Sequence, residues 1–215
     1  MFRQLEKSDY ILFFKSLYDA RLVNKYGCYL TLGEPERYLK TQNFLLGDGI
    51  AGFAIDNGDL IAVHKNPEKA RKNKVSGVID EIVPLALKNG ATKLDCYGSF
   101  LANAYMSFGF LPTGRMKFNP IYNPEWNIER YGTPDVIVFC RAVSDIDELI
   151  QLTIEDKFIG YEDISDKLTV YDDYQTMLED RDRVLKTVQA SKYGYFDTLR
   201  YITSRNKVKE EEYGD

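Results

Sequence analysis

The stretch from Asp59 to Phe110 leaves this 215-residue chain little choice of fold. Leu60 to His64 (LIAVH) is short, apolar and preceded by the turn Asn57-Gly58-Asp59, so it reads as a strand. A basic connector, Asn66 to Lys74, follows. Val75, Val78, Ile79, Ile82, Val83 and Leu87 then recur on one helical face. Asn89-Gly90 is a helix stop, because glycine accepts the left-handed conformation that a C-terminal cap needs. Thr92 to Tyr97 is a second strand. Gly98-Ser99 opens a second helix that ends at Phe108-Gly109-Phe110. This β-loop-α-β-α order predicts a right-handed crossover between neighbouring, parallel strands. Upstream, Ile50–Ile55 and Leu60–His64 flank Asp56-Asn57-Gly58-Asp59. Asn-Gly between two apolar runs predicts a hairpin, since both residues accept positive φ. A hairpin feeding a β-α-β unit makes a mixed sheet, so the predicted fold class is α/β with a central mixed sheet flanked by helices.

Two motifs inside this stretch carry a resemblance. Arg71-Lys72-Asn73-Lys74-Val75-Ser76, followed by Gly77, aligns with an Arg/Gln-x-x-Gly-x-Gly/Ala loop. Tyr105-Met106-Ser107-Phe108-Gly109-Phe110 matches a Tyr-x-x-x-Gly-Phe helix ending. Over roughly residues 45–140 the chain resembles the GNAT family of N-acetyltransferases. The resemblance implies acetyl-coenzyme A as cofactor, its pyrophosphate held by the loop Arg71, Lys72, Asn73, Lys74, Val75, Ser76 and Gly77. It implies Tyr105 as the acid that protonates the departing thiolate, and a contact from Asn103 to the cofactor. Lys74 stands where the family has glycine, and Ser76 where it has glycine or alanine. Phe118 to Phe139 is similar to the tail of GNAT-like proteins encoded by bacteriophages. That similarity implies a host-cell cytoplasmic setting, with virion association as an alternative.

Chemistry supports these assignments from the residues themselves. Helix N-termini with unpaired amides favour anions, and a basic loop adds to the effect. Amine acetylation needs a neutral amine, donors at the thioester oxygen and a proton for the thiolate. His64 is the one histidine, and an unperturbed imidazole titrates where a base is useful, so it is a candidate base. The plainer readings stand beside these: His64 as a loop residue, Tyr105 as part of the apolar stripe Phe100, Leu101, Ala104 and Phe108, and the cations as a solvated run.

The rest of the chain bounds the alternatives. A formal charge of −5 disfavours a general nucleic-acid surface, although Lys65–Lys74 is a local basic patch. Cys28, Cys96 and Cys140 have no Cys-x-x-Cys spacing, so neither a zinc site nor a disulfide framework is expected, and no metal is assigned. The N-terminal residues do not form a leader or a span, which predicts no membrane association. Ser8-Asp9 caps a helix whose Ile11, Phe14, Leu17, Tyr18 and Leu22 are expected to pack on the core. Tyr26–Gly33 reads as a short strand or a substrate loop, and Glu34–Phe44 as a helix with Pro35 in its first turn. Asn119–Pro134, rich in proline and aromatics, reads as a packed loop, and Asp135–Cys140 as a strand.

Composition shifts after Arg141. Ser144, Asp145 and Asp147 are expected to cap a helix running to about Leu152. A long amphipathic helix spans Tyr171–Ala190, its middle dense in charge of both signs, and a further helix includes Phe196–Ile202. The domain reading is therefore residues 1–142 as the α/β domain and 143–215 as a helical extension, a candidate interface. The functional expectation is acetyl transfer to an unidentified amine. The alternative is a catalytically degenerate binding, virion-associated or host-interaction protein of the same fold.

Overall fold

Asn57 and Gly58 turn the chain at φ 48° and 82°, which closes the predicted hairpin. The computed structural model describes residues 1–142, 148, 151–152, 155 and 159–212, with side chains through 205. The chain divides into two compact units, Met1–Thr92 and Lys93–Asp215.

The first unit holds an antiparallel run β1-β2-β3-β4, with β1 Phe2–Gln4, β2 Gln42–Leu46, β3 Ala51–Asp56 and β4 Asp59–Lys65. Helix α1 (Tyr10–Val23) packs on it, and Phe13 and Leu17 join Leu5, Tyr38, Leu45 and Ala54 in one buried cluster. The core face of α1 is not the expected one. Phe13, Ser16, Leu17 and Ala20 are buried, whereas Ile11, Tyr18 and Leu22 are exposed. The helix is apolar around most of its circumference, so spacing alone could not select the buried stripe.

Two further expectations are corrected. Glu34–Phe44 is not one helix: a 3-10 turn at Pro35–Leu39 gives way to β2, where Phe44 stacks on Phe53 of β3. The basic connector is partly helical. Asn66 caps α2 (Pro67–Lys72) by accepting from the backbone N–H of Glu68 and Lys69, and Pro67 suits the first turn. Helix α3 then spans Val78–Lys88.

The second unit pairs β5 (Lys93–Tyr97), β7 (Val136–Arg141), β6 (Phe110–Met116) and β8 (Val170–Tyr171) in the order β5-β7-β6-β8. The first two pairings are antiparallel and the β6–β8 pairing is parallel, so the sheet is mixed. Helix α4 (Gly98–Met106) lies between β5 and β6 in sequence. The Asn119–Pro134 loop carries a 3-10 turn and the short α5 (Ile128–Tyr131), and is anchored by buried Trp126, whose indole N–H donates to the Gly132 carbonyl. Helices α6 (Tyr174–Ser191) and α7 (Tyr195–Glu212) complete the unit. The α/β class with a mixed sheet and C-terminal helices is thus as expected. The composition break at 142/143 does not coincide with the boundary between the compact units; it stays a proposal about folding units. The capping residues Ser144, Asp145 and Asp147 lie outside the described residues.

In α6 the charge-dense middle is only partly solvated, with Glu179 and Arg183 exposed. Asp180 and Arg181 are buried. Asp180 accepts hydrogen bonds from the Tyr171 hydroxyl and the Arg205 guanidinium, and Arg183 Nη2 lies 2.9 Å from its other oxygen. Burial alone would raise this carboxyl. The hydrogen bonds from Arg205 and Tyr171 and the charges of Arg205 and Arg183 outweigh it and hold Asp180 below the usual carboxylate range.

Candidate functional site

In the first unit the candidate residues lie on β4 and on the α2–α3 connection. A β-bulge interrupts the β3–β4 pairing: Gly52 faces His64 and Ala54 faces Ile61. Ala62, at φ 52°, occupies the left-handed region within the bulge. The bulge turns His64 inward, where it is 3% exposed. Only a glycine suits position 52 opposite, because a Cβ there would come within 2.5 Å of His64 Cε1.

Both ring nitrogens of His64 are engaged. Nδ1 lies 2.9 Å from the Ala62 carbonyl oxygen, and Nε2 lies 2.9 Å from Ser16 Oγ. A carbonyl only accepts, so the proton sits on Nδ1 and the Ser16 hydroxyl donates to Nε2. Burial lowers the His64 pKa to about 4, with the Ala62 hydrogen bond opposing and the Lys69 charge assisting the shift. His64 is therefore a neutral imidazole tying β4 to α1. Its basic lone pair is spent on Ser16.

The connection after α2 is open. Arg71, Lys72, Asn73, Lys74, Ser76 and Gly77 are exposed, while Val75 packs against the cluster of Leu46, Ile50, Ala51 and Ala70. The Val75 N–H donates to the Ala70 carbonyl at 2.9 Å, which closes the α2 C-terminus. Lys74 (φ 55°) and Gly77 (φ 58°) are both left-handed. Lys74 thus places a long cation on a left-handed backbone. Gly77 is the N-cap of α3 and supplies no side-chain cap for the helix's first amides, of which the Asp80 N–H donates to the Gly77 carbonyl at 3.1 Å. Asp80 and Glu81 occupy the first turn, and Asp80 Oδ2 comes within 3.1 Å of where a Gly77 Cβ would sit. These carboxylates oppose an anion at that helix end, whereas the three cations favour one. The exposed loop fits a pyrophosphate through its cations more than through the helix terminus.

In the second unit, Tyr105 lies on the buried side of α4, against Phe110 and Phe139. Burial, with the neighbouring Cys96 and Asp95, pushes its hydroxyl well above the ordinary phenol value. It stays protonated at every physiological pH. Cys96 and Cys140 are buried free thiols, both pushed up by burial, which suits inert core cysteines. Asn103 is engaged on both sides of its amide: Nδ2 donates to Glu162 Oε2 at 2.9 Å, and Oδ1 accepts from the Tyr161 N–H at 2.8 Å. It pins the 160–165 segment onto α4. Tyr161 is itself buried, its hydroxyl without a hydrogen-bond partner among the described residues and its pKa pushed up to about 12 by burial and by Asp135.

The structure therefore gathers His64 and the 71–77 loop in one unit, and Tyr105 and Asn103 in the other. Sequence reasoning missed Ser16, Ala62, Asp80 and Tyr161. Of these, only Asp80 had a visible signal, an acid directly after the proposed phosphate loop. Among the described residues no group of three His, Cys, Asp or Glu could hold a metal ion, and no helix is long and apolar enough to cross a membrane.

No protein-family model matches the chain, and no curated protein does. Among solved structures, the chain is similar to a ribosomal-protein-alanine N-acetyltransferase from Brucella melitensis, at 14% identity and TM-score 0.41, over 65% of this chain and 97% of that one. It is similar to an IAA acetyltransferase from Bacillus cereus, again at 14% and 0.41, over 66% and 97%. A GNAT-family acetyltransferase from Streptococcus pneumoniae gives 17% identity and TM-score 0.38, over 65% and 96%. At these values the likeness decides neither activity nor substrate.

Proposed function

We propose that this protein is an N-acyltransferase that moves an acetyl group from acetyl-coenzyme A to an amine. The observation that carries this reading is the 71–77 loop, which exposes Arg71, Lys72 and Lys74 around two left-handed residues directly before α3. When bound, acetyl-coenzyme A supplies the activated acyl group and a thiolate leaving group. The cations of the loop hold its phosphates. The resemblance assigns the thiolate's proton to Tyr105; burial makes this phenol a weaker acid than the thiol it would protonate, so the transfer requires its hydroxyl to become accessible. His64, the candidate base in sequence, is held as structure by its bonds to Ser16 and Ala62, so the amine's proton leaves to solvent. The divergent phage-type lineage, a host cytoplasmic setting and an interface on the C-terminal helices belong to this proposal and rest on sequence alone.

A second reading is favoured by one observation. Both nitrogens of His64 are committed to structure, which suits a protein that keeps the scaffold and binds rather than catalyses. Release of free thiol from acetyl-coenzyme A in the presence of a panel of amines separates the two. The enzyme reading expects turnover with at least one amine. It also expects Tyr105→Phe to lower kcat by roughly 100-fold or more with KM little changed. Cofactor binding with no turnover across the panel supports the binding protein.

A further inference from the structure

The buried tyrosines Tyr38, Tyr171 and Tyr195 each use their hydroxyl in a hydrogen bond, with the Leu32 carbonyl, with Asp180 and with the Ile159 N–H. The hydroxyl of Tyr161 makes none among the described residues. Its backbone is nevertheless firmly held. Asn103 of α4 accepts from the Tyr161 N–H and donates to Glu162, and Arg115 Nε of β6 donates to the Ser165 carbonyl at 3.0 Å. The Gly160 N–H donates to Asp163 Oδ2 at 3.0 Å, which closes the 3-10 turn Tyr161–Asp163. Asp135 gives the phenol no partner; its Oδ2 is paired with Arg115 Nη1 at 2.6 Å. A buried hydroxyl without a hydrogen bond weakens a fold, and phenylalanine would fill the same space without that cost. Tyr161 therefore has a hydrogen bond to give, and a fixed place from which to give it.

We infer that the Tyr161 hydroxyl donates a hydrogen bond to the thioester carbonyl of acetyl-coenzyme A and so positions the acyl group, an assignment that rests on the acyl-transfer reading. Tyr161 and Tyr105 both feel the charge of Cys96, so the two phenols approach the same end of the second unit's sheet. Tyr105 is the residue to which that reading assigns the thiolate, and the carbonyl is bonded to that sulfur. Burial keeps Tyr161 protonated, as a donor must be. Asp135, Cys96 and Glu162 raise its pKa further, against the opposing charge of Arg115. The same surroundings disfavour an anionic acceptor, so a neutral carbonyl oxygen is the one that suits this donor. The bond is made to the bound thioester before any charge develops, and it contributes to affinity for the acyl group more than to the rate of its transfer.

Calorimetric titration of the full chain and of Tyr161→Phe tests this, with acetyl-coenzyme A and with coenzyme A, which lacks the carbonyl. Tyr161→Phe should bind acetyl-coenzyme A roughly fivefold more weakly and coenzyme A unchanged. Without ligand, its midpoint of thermal unfolding should rise by about 2–4 °C, because the variant removes a hydroxyl that folding leaves unpaired. Equal affinity of the two chains for acetyl-coenzyme A, or an equal loss for both compounds, overturns the inference and leaves the acyl-transfer reading standing. A lower unfolding midpoint in Tyr161→Phe also overturns it, because the hydroxyl is then satisfied within the fold, by an ordered water for example. Failure of the wild-type chain to bind either compound defeats the acyl-transfer reading and this inference with it.

Discussion

Each unit buries a polar anchor that joins separate elements, and the two solve the same problem differently. In the first unit Ser16 and His64 join α1 to β4 as neutral groups, with one proton on each of two hydrogen bonds. In the second, Asp180 joins Tyr171, Arg183 and Arg205 as an ionised carboxylate surrounded by donors. The histidine looks catalytic in sequence and is held as structure. The aspartate looks like one charge in a solvated run and is buried. Environment, not residue type, sets the role: desolvation with one opposing cation nearby neutralises the imidazole, and desolvation outweighed by two guanidinium groups keeps the carboxylate charged.

The ionic anchor should be the more costly to break. Asp180→Ala leaves the largely buried Arg205 without its carboxylate, while Arg183 stays in solvent, and is expected to destabilise the protein by about 3–5 kcal/mol in urea unfolding. Loss under about 1 kcal/mol would mean that Asp180 is effectively solvated and would erase the contrast. The pH dependence sharpens it. His64 titrates near 6.5 when unfolded and at about 4 when folded, so between those values the unfolded chain binds the extra proton. Its contribution is full above pH 6.5 and is lost as pH falls to about 4, amounting to about 3 kcal/mol. For Asp180 the folded value is the depressed one, so its contribution persists below that window. It is lost only as pH falls from about 3.9 through the folded value. Unfolding free energies measured from pH 7 to 3 should therefore show two separate descents, and His64→Gln should remove the upper one alone. Ser16→Ala deletes one neutral hydrogen bond and leaves Nε2 bare, which should cost about 1–3 kcal/mol and raise the His64 pKa toward its ordinary value by NMR titration. The smallest effect belongs to the open loop: Lys72→Ala with Lys74→Ala should change stability by no more than about 0.5 kcal/mol.

What the sequence disclosed was local. The Asn57-Gly58 hairpin, the β4 and β5 strands, the stop at Asn89-Gly90 and the β-branched run of β7 each depend on neighbours in the chain, and each forms where its residues indicate. The failures are non-local. Which face of α1 is buried depends on the sheet beneath it. Whether Phe44 is helical or extended depends on its pairing with Phe53. The Ser16–His64 bond joins residues 48 positions apart, and the Asn103–Glu162 bond residues 59 apart, so no motif could announce them. The 71–77 loop is the part of the candidate site most legible in advance, because exposed cations need no partner elsewhere in the chain to be recognised. That the same loop carries Asp80 at its helix end could be read from the sequence but not weighed without the geometry.

The central claim is that this loop holds the phosphates of acetyl-coenzyme A, and calorimetric titration of the purified chain tests it most directly. The account predicts a dissociation constant on the order of micromolar, weakened at least tenfold in the Lys72→Ala/Lys74→Ala variant, whose fold the loop's exposure leaves intact. No heat of binding up to millimolar cofactor, or equal affinity in the variant, would contradict it.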